Sequence, residues 1–100
     1  MRWFRKKPAP NVNISTDGDC MIQYYKISQL FGYKQFNQNV LVTKVIVRIG
    51  NFQFYPGAEI NRGINVDGLD LFFLMTMNRT VKVDYDPNSK IYQIIGVQNG

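Results

Sequence analysis

A mainly β fold, a small antiparallel barrel or sandwich of about six strands with a flexible basic N-terminal arm, is predicted by three features of the sequence. Side chains sort to two faces with a period of two through residues 44–49, inside a strand-forming run over 40–49, and again through residues 80–85. Turn-forming pairs, among them Gly50-Asn51, Pro56-Gly57 and Asp67-Gly68, punctuate the chain at short intervals. At the start, Arg2, Arg5, Lys6 and Lys7 are interleaved with Trp3 and Phe4 and closed off by Pro8 and Pro10. Residues 1–10 are therefore assigned to the arm and residues 11–100 to a single β-rich domain, because a chain of 100 residues has room for one core and not two.

Within the arm, Pro8 and Pro10 remove backbone donors and favour an extended course. Val12 and Ile14 then suggest a short edge strand, ending in a turn at Asp17-Gly18-Asp19. Residues 21–27 are rich in strand formers and predict the first substantial strand. Ser28 to Phe31, before Gly32, reads as one helical turn capped by Ser28. Residues 40–49 give the clearest strand, with Val45, Val47 and Ile49 on one face and Lys44, Ile46 and Arg48 on the other. Gly50-Asn51 turns it into a hairpin with residues 52–55, which Pro56-Gly57 stops. A long loop or a very short ribbon follows to Gly68. Residues 69–77 suit either a helix capped by Asp67 or Asp70 or a central strand, and their shortness favours the strand. Residues 80–85 and 91–97 pair across a turn at residues 86–90. Val45, Val47, Val83 and Ile94 are the expected core positions.

Positive charge is concentrated at the start of the chain. The formal net charge is +5, yet residues 8–100 carry eight basic and seven acidic side chains, so the body is nearly neutral and the arm is cationic. Ten Asn, seven Gln and six Tyr against 19% charged residues describe a surface built from amide and phenol groups, which suits protein contact. The lone Cys20 forms no intramolecular disulfide. Polar residues from Pro8 onward occupy the place of a signal-peptide apolar region, so secretion by that route is not expected and a cytoplasmic or virion location is. The longest apolar run, residues 71–75, is far short of a transmembrane segment.

The chain has no histidine, which removes the commonest general base and zinc ligand and leaves a serine or cysteine triad without its base. Asp67 with Asp70 and Asp84 with Asp86 are the conceivable carboxylate pairs, but each sits at an expected turn, where Asp bonds the local backbone. Asp84, Asp86 and Asn88 open like a calcium loop, and the match fails at Ser89 and Ile95, where Gly and Glu are needed. No catalytic residue, metal, cofactor or small-molecule substrate is expected.

Two contact surfaces remain. Arg2, Trp3, Phe4, Arg5, Lys6 and Lys7 would meet a nucleic acid, an anionic surface or a protein. Tyr24, Tyr25, Tyr33, Phe54 and Tyr55 lie close to basic residues and would offer stacking faces. These features predict a non-enzymatic structural or interaction protein that assembles with copies of itself or a larger complex, the arm acting as tether. A viral-particle component fits by analogy of architecture. A single-stranded nucleic-acid-binding module and a small protein inhibitor of a host enzyme are the alternatives.

Overall fold

A computed structural model describes residues 21–99. The arm, the edge strand expected at Val12 and Ile14, and Cys20 lie outside the described residues. In chain order the elements are β1 (Met21–Lys26), α1 (Ile27–Leu30), β2 (Phe31–Lys34), β3 (Asn37–Thr43), β4 (Ile46–Ile49), β5 (Phe52–Phe54), β6 (Glu59–Ile60), β7 (Asn65–Val66), β8 (Leu69–Asp70), α2 (Leu71–Thr76), β9 (Thr80–Asp86) and β10 (Ile91–Val97). Among the described residues strand makes up 56% and helix 13%, which establishes the mainly β class. Five strands form the principal sheet in the order β1-β9-β10-β4-β5, three form β2-β3-β6, and β7 pairs with β8. No closed barrel forms among the described residues.

The hairpins at Gly50-Asn51 and at residues 87–90 occur as expected, with Ile49 opposite Phe52 and Asp86 opposite Ile91. The chain is not, however, a series of consecutive hairpins. β1 pairs antiparallel with the distant β9, Met21 facing Tyr85, and β4 runs parallel to β10, Ile46 facing Ile91. A parallel neighbour needs a long crossover, and here the connection from β4 to β10 includes α2.

The single strand expected over residues 40–49 is broken. Its first part, β3, lies in the three-stranded sheet, and its second, β4, in the five-stranded one. The break is held by backbone bonds that leave the ladder: Thr43 N donates to the Ala58 carbonyl at 3.0 Å and Lys44 N to the Leu30 carbonyl at 2.8 Å. Ala58 N donates to the buried Thr43 Oγ1 at 3.1 Å, and that hydroxyl donates to the Tyr55 carbonyl. Val45, beside the break, packs only at the margin of the core, whereas Val47, Val83 and Ile94 are buried as expected.

Residues 69–77 are not one strand but two residues of strand followed by a helix. Asp70 Oδ1 accepts from Phe72 N at 2.7 Å and so caps the helix start. A strand through this run would hide Leu71, Phe73 and Met75 on one face; instead Leu71, Phe72 and Leu74 are buried and Phe73 is exposed, a helical spacing. The segment before it is the very short ribbon: Asp67 and Gly68 both take positive φ, 53° and 78°, in a two-residue turn joining β7 to β8. At α1 the turn starts one residue earlier than expected, with Lys26 as N-cap; Gln29 Oε1, not Ser28, satisfies the Lys26 N–H at 2.8 Å.

The helices and the smaller sheets bury one face of the principal sheet. Ile27 and Leu30 from α1, Phe31 and Leu41 from β2 and β3, and Leu71, Phe72 and Leu74 from α2 join Val47, Ile49, Val81, Val83 and Ile94 in one cluster. Among the described residues no helix is long and apolar enough to cross a membrane.

These contacts predict the effect of two substitutions, both measured by urea denaturation. Leu74→Ala should cost about 2–5 kcal/mol through lost burial and a residual cavity. Asp70→Ala should cost about 1 kcal/mol, while Asp70→Asn, which keeps an acceptor for Phe72 N, should recover most of that loss. Equal losses for the Ala and Asn variants would instead assign the effect to the Arg62–Asp70 ion pair at 3.6 Å.

Candidate functional site

Pairing fixes which side chains share a face, because directly opposed residues point the same way. On the inner face of the principal sheet stand Met21, Gln23 and Tyr25 of β1, with Val81, Val83 and Tyr85 of β9. The opposite, outer face carries Ile22, Tyr24 and Lys26 beside Asp84, Lys82 and Thr80. Ile46 and Arg48 of β4 and Ile91 and Gln93 of β10 continue this face, and every one of these residues is exposed or half-buried.

A polar row crosses the outer face from strand to strand. Ile22 faces Asp84, Asp84 faces Gln93, Gln93 faces Arg48, and Arg48 faces Gln53. Arg48 Nη2 and Nε donate to Gln53 Oε1 at 2.6 and 3.0 Å, and Gln53 Nε2 donates to the Tyr55 hydroxyl at 2.9 Å. Between the row and the turn after β9 lies a shallow hollow of about 280 Å³ lined by Arg48, Asp84, Asp86, Ser89, Ile91 and Gln93. Asp84 Oδ1 is buried there and makes no hydrogen bond within the described residues. Next to the row, Ile22 is 51% and Tyr24 53% exposed, and Ile95, the extra residue of a bulge in β10, is 44% exposed. Apolar side chains around a polar row can form a contact surface for another macromolecule.

The predicted aromatic residues are not gathered at one place. Tyr24 stands on the outer face of β1, whereas Tyr55 follows β5 and is 59% exposed. These are opposite edges of the sheet, four strand spacings or about 19 Å apart. Tyr25 and Phe54 lie on the inner face and pack against the core. Tyr33 belongs to the three-stranded sheet, its hydroxyl 3.0 Å from Thr76 Oγ1. The arm residues lie outside the described residues.

A tighter aromatic group lies at the end of the inner face, and two of its members were not among the predicted contacts. The Tyr25 and Tyr92 rings meet edge to face at 5.4 Å, and Tyr85 and Tyr92 lie 4.5 Å apart. The pairing of residues 80–85 with 91–97 across a turn already sets Tyr85 against Tyr92, so the register of that hairpin was the available signal. A hollow of about 270 Å³ opens between Tyr85, Tyr92, Ile46 and Pro56, flanked by Lys44 and Lys90. Burial, then the neighbouring Tyr85 and Tyr25 phenols, raises the Tyr92 hydroxyl above its ordinary 10.0. The phenol is therefore a hydrogen-bond donor throughout the neutral range.

Three of the four paired acids, Asp67, Asp70 and Asp86, accept from backbone N–H groups. Asp67 Oδ2 accepts from Val97 N at 2.8 Å, close to where a side chain on Gly96 would intrude. Asp86 accepts from Asn88 N at 3.0 Å and from Ser89 Oγ at 2.8 Å. Comparison with known proteins finds no matching family model, curated protein or solved structure.

The raised Tyr92 group predicts a pH dependence. Above pH 10 an unfolded tyrosine ionises while the native one keeps its proton, so stability should fall as pH rises through the native value. Tyr92→Phe should flatten that alkaline loss in denaturation curves taken across the range. A loss as steep as in the parent would show that another group carries it.

Proposed function

We propose that the chain is a non-enzymatic interaction module that assembles with copies of itself through the outer face of its principal sheet, with the basic N-terminal arm as a tether to an anionic partner. One observation carries the reading: a sheet face without a covering layer among the described residues presents Ile22, Tyr24 and Ile95 to solvent. Sheets with an apolar face are stabilised by packing against another layer, about 10 Å away.

Charge supports a second copy as that layer. On the β1 and β9 part of the outer face Lys26 and Lys82 lie toward one end and Asp84 and Asp86 toward the other, with Arg48 two strands away in the row of Asp84. A two-fold axis parallel to the sheet, midway between the two outer faces and perpendicular to the strands, lays one copy over the other and brings Lys26 and Lys82 of each toward Asp84 and Asp86 of its mate. Such self-complementarity is what a two-fold interface requires.

The test is sedimentation of the full chain over a concentration series. Self-association should appear, and Tyr24→Asp should weaken it by about tenfold or more, or about 1.4 kcal/mol. Lys82→Glu should also weaken it, and adding Asp84→Lys should restore part of the loss, because the two ends then exchange sign. A chain that remains monomeric up to millimolar concentration overturns assembly with copies of itself.

A further inference from the structure

The hollow of about 270 Å³ at the end of the inner face sets an aromatic and apolar floor beside two cations. Tyr85, Tyr92, Ile46 and Pro56 supply the floor, Lys44 and Lys90 flank it, and no acidic side chain lines it. Among the described residues the ion pairs are Lys34 with Glu59 and Arg62 with Asp70, and neither involves a flanking lysine. Asp86, the acid nearest to Lys90 in sequence, is committed elsewhere. Its carboxylate accepts from Asn88 N and Ser89 Oγ, and the residue lines the other hollow, beside Arg48.

Backbone contacts hold both lysines in place. Lys44 Nζ donates to the Ser28 carbonyl at 2.8 Å, which fixes the side chain without neutralising its charge. Lys90 closes the β9–β10 turn, its N–H donating to the Asp86 carbonyl at 2.7 Å, and it takes a φ of 62°. Glycine adopts that conformation without strain, and a residue with a Cβ does not. Among the described residues the other non-glycine positions of positive φ are Asp67 and Asn78, types whose short polar side chains tolerate it. Lysine is not of that kind. Strained backbone of this sort gathers at ligand sites, and here it keeps a cation beside two tyrosine rings.

Size and chemistry narrow the ligand. Pockets for drug-sized molecules run to about 300–1,000 Å³, so a hollow just below that range takes one or two rings. Tyrosine rings favour a planar aromatic group. Lysine binds phosphate as a point charge, whereas planar bidentate recognition of a carboxylate favours arginine.

We propose that this hollow binds a small aromatic phosphate as a free molecule, its ring against Tyr85 and Tyr92 and its phosphate toward Lys90 and Lys44. The site is separate from the outer face, so self-assembly and ligand binding stand or fall independently.

The experiment is a nuclear magnetic resonance titration of the labelled full chain with 1-naphthyl phosphate. Saturable shifts should centre on the amides of Tyr85, Lys90 and Tyr92, with a Kd of about 1 mM or tighter. Inorganic phosphate, which lacks the ring, and 1-naphthol, which lacks the charge, should each bind about tenfold or more weakly. Lys90→Gly should weaken 1-naphthyl phosphate by about tenfold while the urea midpoint holds or rises, because glycine relieves the positive φ. Lys90→Arg, which keeps the charge, should retain binding. The proposal is overturned by shifts that do not saturate or that centre away from the hollow, or by inorganic phosphate or 1-naphthol binding as tightly. A Lys90→Gly variant that binds like the parent, or that loses affinity together with a lowered midpoint, overturns it as well.

Discussion

Burial of a single face of the principal sheet is the constraint on which the other elements depend. Val47, Ile49, Val81, Val83 and Ile94 come from three strands, and among the described residues α1, α2 and the small sheets cover them. Neither helix is long enough to be stable by itself, so each persists because its apolar side is packed. The break between β3 and β4 belongs to the same solution: the chain leaves one sheet at Thr43 and enters the other at Ile46. The buried Thr43 hydroxyl bonds the loop there, meeting the needs of a polar group inside the core. The opposite face has no comparable cover among the described residues.

Local patterning revealed the parts of this fold that local physics controls. The β9–β10 ribbon and the Gly50-Asn51 hairpin combine alternation with suitable turn residues, and both form. Val47, Val83 and Ile94 follow from that alternation and are buried. Residues 40–49 misled because their run of strand formers continues without Gly or Pro across the switch between sheets, where Thr43 N and Lys44 N bond the distant carbonyls of Ala58 and Leu30. Residues 69–77 misled because a short apolar run suits either structure, and the decision rests on the Asp70 cap and the packing of Leu71, Phe72 and Leu74. The β1–β9 and β4–β10 pairings have no local signature.

The candidate surface was legible to a smaller degree. Tyr24 and Tyr55 are exposed, but composition alone could not show that they lie on opposite edges of the same sheet. Tyr25 and Phe54 share the inner face because alternation and register assign them there, and adjacency to a basic residue in sequence carries no information about that. The outer polar row was less visible still. Asp84, Gln93, Arg48 and Gln53 come from four strands and become neighbours only once the parallel pairing is known.

That parallel pairing also bears on synthesis. β10 lies between β9 and β4, so the ribbon of β4 and β5 has no route to the pair of β1 and β9 until residues 91–97 leave the ribosome. Earlier, the apolar faces of Val47 and Ile49 wait beside an unpaired strand edge, the kind of surface that invites wrong partners. The central strand of the sheet is thus a late arrival, and closure across so long a stretch of chain makes its formation a slow step in acquiring the native state.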